Sequence, residues 1–346
     1  MRRHHAKTAS ICGAFGALAL TLWAGASLSS DTPADRTAWQ AKYRRPAEIP
    51  FPEGDTYSEA KSKLGRMLFF DPILSASRSR SCATCHVPGL SWADGLPRAI
   101  GERQLPLPLR TPTLLNVAWG QQLGWDGHFR NLEAVAFGPI TAANNMNMPE
   151  KALIERLSAN PGYVAAFRAA FGDGTISKTE IESALATFER SIVSGEAPFD
   201  RWIEGDGNAI SEPAKRGFDL FNGKANCAAC HSGWAFTDGS FHDIGVARGK
   251  DLGRGKLFPK SVKLQYAFKT PTLRDVARRA PYMHDGSIKT LDAVIDLYDR
   301  GGIDRPSRAD EIKPLHLSVQ EKAELVTFLQ TLTAQQEPVS FPVLPR

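Results

Sequence analysis

Apolar residues recur at helical spacing along three stretches of the chain, and these stretches predict helices. They span Lys151 to Ala170, Lys178 to Ile192 and Ser318 to Leu332, where apolar residues three and four positions apart would share one helix face. Ser177 and Ser318 stand where N-cap residues are expected. Because no stretch has the strict alternation of a half-buried strand, the pattern predicts an all-α fold.

Long stretches rich in Gly and Pro separate the apolar stretches and predict surface loops. Leu105 to Pro108 and Gly249 to Gly255 are examples. Ser194 to Glu212 combines Gly, Asp, Asn and Pro residues and is the predicted junction between two domains. Each domain is therefore expected to be a small helical core wrapped by long loops.

Residues 1–26 have the three parts of a secretory signal peptide. Three basic residues precede the apolar run Ile11 to Ala26, and Ala24-Gly25-Ala26 fits a small-residue cleavage site. The apolar run is shorter than the ~20 residues that a spanning helix needs. The sequence therefore predicts export to the periplasm, with no stable membrane insertion after cleavage.

The rest of the chain is nearly neutral. The whole sequence carries a formal net charge of +5, and three of its positive charges lie in the leader. A surface for binding nucleic acid is therefore not expected. The length fits two domains on a prior of ~150 residues per domain, and we place them at residues 27–200 and 201–346.

Two copies of Cys-x-x-Cys-His, at residues 82–86 and 227–231, are the strongest chemical signal in the chain. In this motif the thiols form thioether bonds to a haem and the histidine ligates its iron. The fifth cysteine, Cys12, lies in the leader, so none remains to complete a zinc site or a disulfide. The sequence thus predicts two covalently bound c-type haems. The residues predicted to hold them are Cys82, Cys85, His86, Cys227, Cys230 and His231.

The two halves have the character of tandem copies. Thr111 to Leu114 matches Thr270 to Leu273 at an offset of 159 residues, and Asp126-Gly127 matches Asp285-Gly286 at the same offset. Independent landmarks at one offset indicate a duplicated haem domain.

The duplication predicts that the two haems are unequal. At the common offset, Tyr298 falls opposite Pro139; tyrosine can ligate ferric iron, whereas proline offers no side-chain donor. If this position faces each haem, the second is six-coordinate and the first is open. Tyr298 is also compatible with an ordinary buried helix residue. Met283 is the competing ligand of the second haem, and Met146 and Met148 are candidates to close the first.

The order of motifs resembles the bacterial dihaem cytochrome c peroxidase and MauG family. The segments that carry the resemblance are Leu64 to Pro72, Thr111 to Ala118, Trp125 to Gly127, Phe268 to Arg274 and Pro281 to Ser287. The resemblance implies two tandem cytochrome c-like α domains, often with a calcium ion between them.

The resemblance also implies an oxidoreductase that reacts with hydrogen peroxide. The predicted function is a peroxidase that reduces hydrogen peroxide with electrons from a small cytochrome c or cupredoxin. The alternative is a MauG-like enzyme, in which the electrons come from side chains of a partner protein, which is modified. A non-catalytic dihaem electron carrier is the alternative from a different class.

Residue by residue, the resemblance assigns four roles. His86 becomes the proximal ligand of the peroxide-reactive haem, and His231 that of the electron-transfer haem. Trp125 corresponds to the tryptophan that relays electrons between the haems, although a core aromatic beside an Asp-Gly turn is also compatible. Tyr298 falls where the peroxidases have an axial methionine and MauG has an axial tyrosine, which favours the MauG-like branch.

Several positions depart from the family pattern. Glu102 stands where a histidine blocks the first haem of the classical peroxidases, so reductive unlocking is not expected. Asn145 stands at the position of the distal glutamate, and an amide cannot transfer protons as a carboxylate does. Glu133 or Glu150 is the alternative source of that acid. Arg110 replaces an asparagine that helps to hold calcium, and its positive charge argues against the metal.

Overall fold

The computed structural model describes residue 1 and residues 33–345. Apart from Met1, the predicted signal peptide lies outside the described residues. No helix in the described part of the chain is long and apolar enough to cross a membrane. The α-helices of that part are α1 (Pro33–Tyr43), α2 (Glu59–Phe70), α3 (Cys82–Cys85), α4 (Leu132–Thr141), α5 (Glu150–Ser158), α6 (Pro161–Phe171), α7 (Lys178–Arg190), α8 (Pro198–Ile203), α9 (Glu212–Asn222), α10 (Leu291–Arg300) and α11 (Val319–Gln330).

Two of the three predicted helices are confirmed together with their N-caps. α7 follows Ser177, whose side chain accepts a hydrogen bond from the Glu180 N–H, and α11 follows Ser318 in the same kind of capping box. The third predicted helix is divided into α5 and α6. Asn160 caps α6 with its side chain, and Pro161 has no N–H with which to continue α5.

The fold is mostly helical, but the all-α prediction needs one correction. β1 (Phe241–His242) and β2 (Phe268–Lys269) form an antiparallel pair. Each strand has two residues, which is too short to produce a period-two pattern in the sequence.

Each half has its own hydrophobic core, built on two helices that cross at a glycine. α2 crosses α7 at Gly65, where an added Cβ would lie 1.8 Å from the carbonyl oxygen of Ala184. α9 crosses α11 at Gly217, where an added Cβ would lie 2.1 Å from the carbonyl oxygen of Glu324. Only glycine permits so close an approach of two backbones. The repeated crossing supports the duplication.

The ends of the described chain pack on opposite halves. α1 joins the second core, where the ring of Tyr43 lies 5.7 Å from that of Phe199. The C-terminal segment returns to the first half, where the ring of Phe341 lies 5.1 Å from that of Phe70. The domain boundary at residue 200 stays a prediction, but each end segment packs against the half to which it was not assigned.

The predicted junction, Ser194 to Glu212, is not a free linker. It contains α8, whose Phe199, Trp202 and Ile203 are buried in the second core. Asp200 in the same helix pairs with the fully buried Arg274 at 2.7 Å. One and a half turns of helix are too few for a periodic apolar signal, which explains why the sequence pattern did not predict α8 within the junction.

Candidate dihaem site

A cavity of about 830 Å³ in the described part of the chain reaches both Cys-x-x-Cys-His motifs. His86 of the first motif and His231 of the second line it. The matching segments 111–114 and 270–273 also form parts of its wall. The fold therefore brings the two motifs, far apart in sequence, into one site.

Both motif histidines are oriented in the same way. His86 Nδ1 lies 3.1 Å from the carbonyl oxygen of Trp92, and His231 Nδ1 lies 2.9 Å from that of Phe236. With the proton on Nδ1, each ring keeps Nε2 as a free acceptor for a metal. Burial also lowers the pKa of both histidines, which favours the neutral imidazole that ligates iron.

The motif cysteines form no disulfide among the described residues, and they suit thioether chemistry rather than thiolate binding of a metal. Burial raises the pKa of the Cys82 thiol, and it raises that of Cys227 to about 12. Cys230, Asp238 and His242 have ligand atoms within 4.8 Å of one another. Because the haem motif uses Cys230, this group lacks the third ligand of a separate metal site.

Tyr298 and Met283 both line the cavity, so both candidates for the axial position lie in the site. Tyr298 is in the last turn of α10, and within residues 33–345 its hydroxyl has no hydrogen-bond partner. Burial raises the pKa of Tyr298, and the nearby Cys227 and Cys230 add to the shift. Such a phenol keeps its proton unless a cation beside it favours the phenolate. Pro139 lies inside α4 and is not among the lining residues.

Two cations line the cavity at equivalent positions of the repeat. Arg110 precedes the first Thr-Pro-Thr-Leu segment and Lys269 precedes the second. Burial lowers the pKa of both side chains, and neither has a carboxylate within ion-pair distance among the described residues. Arg110 donates to the carbonyl oxygen of Arg279 at 2.9 Å, while its buried Nε has no partner in the described part of the chain. Unpaired buried cations are costly, and the two propionate carboxylates of a haem are suitable counter-ions. The donors of the cavity thus fit haem.

The repeat produces a near-symmetric junction between the halves. Trp125 and His284 occupy equivalent positions, and their rings lie 6.4 Å apart in an edge-to-face arrangement. The Arg110 N–H donates to the His284 carbonyl oxygen at 3.0 Å, and the Lys269 N–H donates to the Trp125 carbonyl oxygen at 2.8 Å. The Trp125 indole N–H donates to the Arg110 carbonyl oxygen at 3.0 Å. Trp125 therefore joins the two halves inside the cavity that both motif histidines line.

Comparisons with known proteins agree with this architecture. The family model for di-haem cytochrome c peroxidase matches residues 59–208, and the cytochrome c model matches residues 214–333. The chain is 52% identical to the methylamine utilization protein MauG of Methylorubrum extorquens, over 97% of this chain and 96% of that protein. The chain belongs to the dihaem cytochrome c peroxidase and MauG family.

Two further relatives of the family extend the similarity. Cytochrome c551 peroxidase of Nitrosomonas europaea is 32% identical, over 82% of this chain and 83% of that protein. The crystal structure of a MauG-like protein associated with microbial copper homeostasis superposes with a TM-score of 0.78 at 29% identity, over 84% of this chain and 94% of that one. The predictions of an oxidoreductase and of two covalently bound c-type haems are confirmed.

Three residues assigned to peroxide chemistry are not among those that line the cavity. Glu102 and Asn145 lie together, because the Glu102 N–H donates to the Asn145 carbonyl oxygen at 2.7 Å. The Glu102 side chain is buried, and its Oε2 has no partner within residues 33–345. Glu133 pairs with Arg190 at 2.7 Å. Glu150, the alternative to Glu133, is exposed at the start of α5.

The proposed closure of the first haem by a methionine is not supported. Met146 and Met148 are buried in the first hydrophobic core and do not line the cavity. Their side chains fill the space between helices, as unbranched apolar residues often do.

Glu189 is a buried carboxyl that no sequence motif indicated. α2 contacts α7 at the same positions at which α9 contacts α11, so Glu189 of α7 corresponds to Leu329 of α11. Leu329 lines the cavity. Burial raises the pKa of Glu189 to about 8, and it lies within electrostatic range of Cys82. The sequence spacing could have indicated that Glu189 is buried, because Glu189 follows Ile181 and Leu185 at four-residue intervals on the buried face of α7. A carboxyl that keeps its proton near neutral pH thus lies beside the first motif.

Proposed function

We propose that this enzyme is a MauG-like oxidoreductase of the periplasm, which uses hydrogen peroxide to oxidise side chains of a partner protein. Tyr298 carries the proposal, because it lines the same cavity as His231 and its hydroxyl has no hydrogen-bond partner among the described residues. The equivalent residue of the first half, Pro139, has no donor. The similarity to MauG proteins supports the same branch, and the leader at residues 1–26 supports export.

In this proposal the chain binds and orients the haems, which supply the redox chemistry of the reaction. His86 would hold the first haem, and His231 and Tyr298 would hold the second. Arg110 and Lys269 would pair with the carboxylates of the haems, and this pairing would offset the cost of burying the two cations.

The first test is the response of the fully oxidised enzyme to peroxide. We expect its spectrum to change on mixing with hydrogen peroxide in a stopped-flow instrument, without prior reduction, because neither Pro139 nor Glu102 offers the first haem a strong ligand. A spectrum with two low-spin haems that is inert to peroxide, before and after one-electron reduction, would instead identify an electron carrier.

The same experiment distinguishes the second candidate function, a cytochrome c peroxidase. Met283 on the cavity lining favours this candidate, since a methionine ligand is common in cytochromes of the electron-transfer type. Adding a reduced small cytochrome c or cupredoxin would then give rapid peroxide turnover. A MauG-like enzyme would turn over slowly and keep its oxidised state until a protein substrate arrives.

Trp125 is proposed to relay electrons between the haems. Trp125→Phe keeps an aromatic ring but removes the N–H bonded to Arg110. We expect electron redistribution between the haems to slow by more than about tenfold, which is ~1.4 kcal/mol in the barrier. Flash reduction followed by absorbance of each haem measures this rate. Trp119→Phe is the matched control, because Trp119 lines the same cavity but packs on Trp234 instead; equal slowing in both variants would remove the special role of Trp125.

A further inference from the structure

A basic and apolar loop lies on the surface of the second half. Residues 248–263 contain six basic residues and one acidic residue, and we call this segment the basic loop. Three large apolar side chains are exposed in it, with 44% of Leu257, 45% of Phe258 and 58% of Val262 accessible to solvent. A patch of exposed apolar residues with charged neighbours is typical of a protein interaction site.

The positive charge of the basic loop is largely uncompensated. Lys256 and Lys260 are exposed, and within residues 33–345 neither forms an ion pair. Lys263 pairs with Asp310 at 2.9 Å, and this pair is exposed to solvent. The acidic residue of the loop, Asp251, is engaged by His284 at 2.7 Å. The outer face of the loop therefore presents a positive field to any approaching molecule.

The basic loop is fixed to the wall of the dihaem cavity. The Arg254 guanidinium lies 4.0 Å from the ring centre of Phe241, a lining residue, and 5.0 Å from that of Phe258. It also donates to the carbonyl oxygen of Asp126 at 2.7 Å, next to Trp125. Asp251 holds His284, whose ring faces Trp125. A molecule bound to this loop would lie one layer of side chains from the cavity.

We propose that the basic loop is the docking surface for an acidic protein that exchanges electrons with the haems. This inference rests on the proposed function, which requires a protein to deliver electrons to a buried site. The lysines would steer an acidic surface toward the loop, and Leu257, Phe258 and Val262 would form the apolar centre of the contact. An anionic membrane is the competing partner, but the apolar residues lie in a tight turn rather than along one face of an amphipathic helix.

The test uses the oxidised dihaem protein and two reduced redox proteins, an acidic cupredoxin and a basic cytochrome c, without peroxide. We expect the rate of haem reduction by the cupredoxin to fall as salt is added. The variant Lys256→Glu with Lys260→Glu should lower that rate by about tenfold or more at low salt, since steering of this kind is worth ~10 to 10³-fold. The same variant should favour the basic cytochrome c.

Two controls make the outcome decisive. Lys63→Glu with Lys151→Glu makes the same charge change at exposed lysines of α2 and α5 and should have little effect. Phe258→Ser should weaken the interaction without changing its dependence on salt. The proposal would be overturned if the two double variants changed the rate equally, or if neither changed it. It would also be overturned if the wild type bound phosphatidylglycerol vesicles and the Lys256→Glu, Lys260→Glu variant did not. The peroxide reaction, measured separately, reports on the proposed function alone.

Discussion

Replacement of Tyr298 by Phe is expected to convert the second haem from low spin to high spin, or to a new ligand set. The variant keeps the ring that fills the wall of the cavity and removes only the phenolic oxygen, so the second core should remain folded. Because that oxygen has no protein partner within the described residues, its loss strands no other buried polar group. Electron paramagnetic resonance and the charge-transfer bands of the oxidised protein would report the change.

Met283→Leu is the matched comparison, since leucine keeps the volume and removes the sulfur. If Tyr298 is the ligand, this variant leaves the low-spin signal in place. The opposite pattern, an unchanged Tyr298→Phe spectrum and an altered Met283→Leu spectrum, would make methionine the ligand. The chain would then be assigned to the cytochrome c peroxidase branch rather than to the MauG-like branch.

The haem chemistry was predictable from sequence because it depends on short, contiguous motifs. The two Cys-x-x-Cys-His motifs specify the cofactor through local covalent geometry. α7 and α11 were predictable for a similar reason, since Ser177 and Ser318 cap them through hydrogen bonds three residues away. The correspondence of Tyr298 with Pro139, which predicts two different haems, could be inferred from the offset of the repeat alone.

Other features depend on contacts between residues far apart in sequence. The packing of α1 on the second core joins Tyr43 to Phe199, and no local pattern in either segment records that contact. The paired cations were equally hidden, because Arg110 and Lys269 resemble ordinary surface charges until the fold buries them. Only the three-dimensional structure shows that neither has an anionic partner among the described residues, which is the property that fits haem carboxylates.

Glu102→Gln tests whether a carboxyl outside the cavity lining serves as the general acid; if it does, the reaction of the oxidised enzyme with peroxide slows by ~10² to 10⁴-fold, the usual contribution of general acid–base catalysis. Asn145 cannot provide that catalysis, because an amide does not exchange its proton as a carboxyl does. Glu102 lies against Asn145, is buried, and has a carboxyl oxygen without a partner among the residues that the structure describes. Glutamine has the same shape but cannot take up or release the proton. The rate of the spectral change after mixing with peroxide measures the effect.

Glu133→Gln is the control for this prediction. Its carboxylate already accepts a hydrogen bond from Arg190 at 2.7 Å, so losing its charge should affect stability more than peroxide chemistry. A normal rate in Glu102→Gln combined with a slow rate in Glu133→Gln would identify Glu133 in α4 as the general acid. Slow reaction in Glu102→Gln, together with unchanged haem spectra before mixing, would mean that Glu102 moves the proton rather than ligating or blocking the first iron.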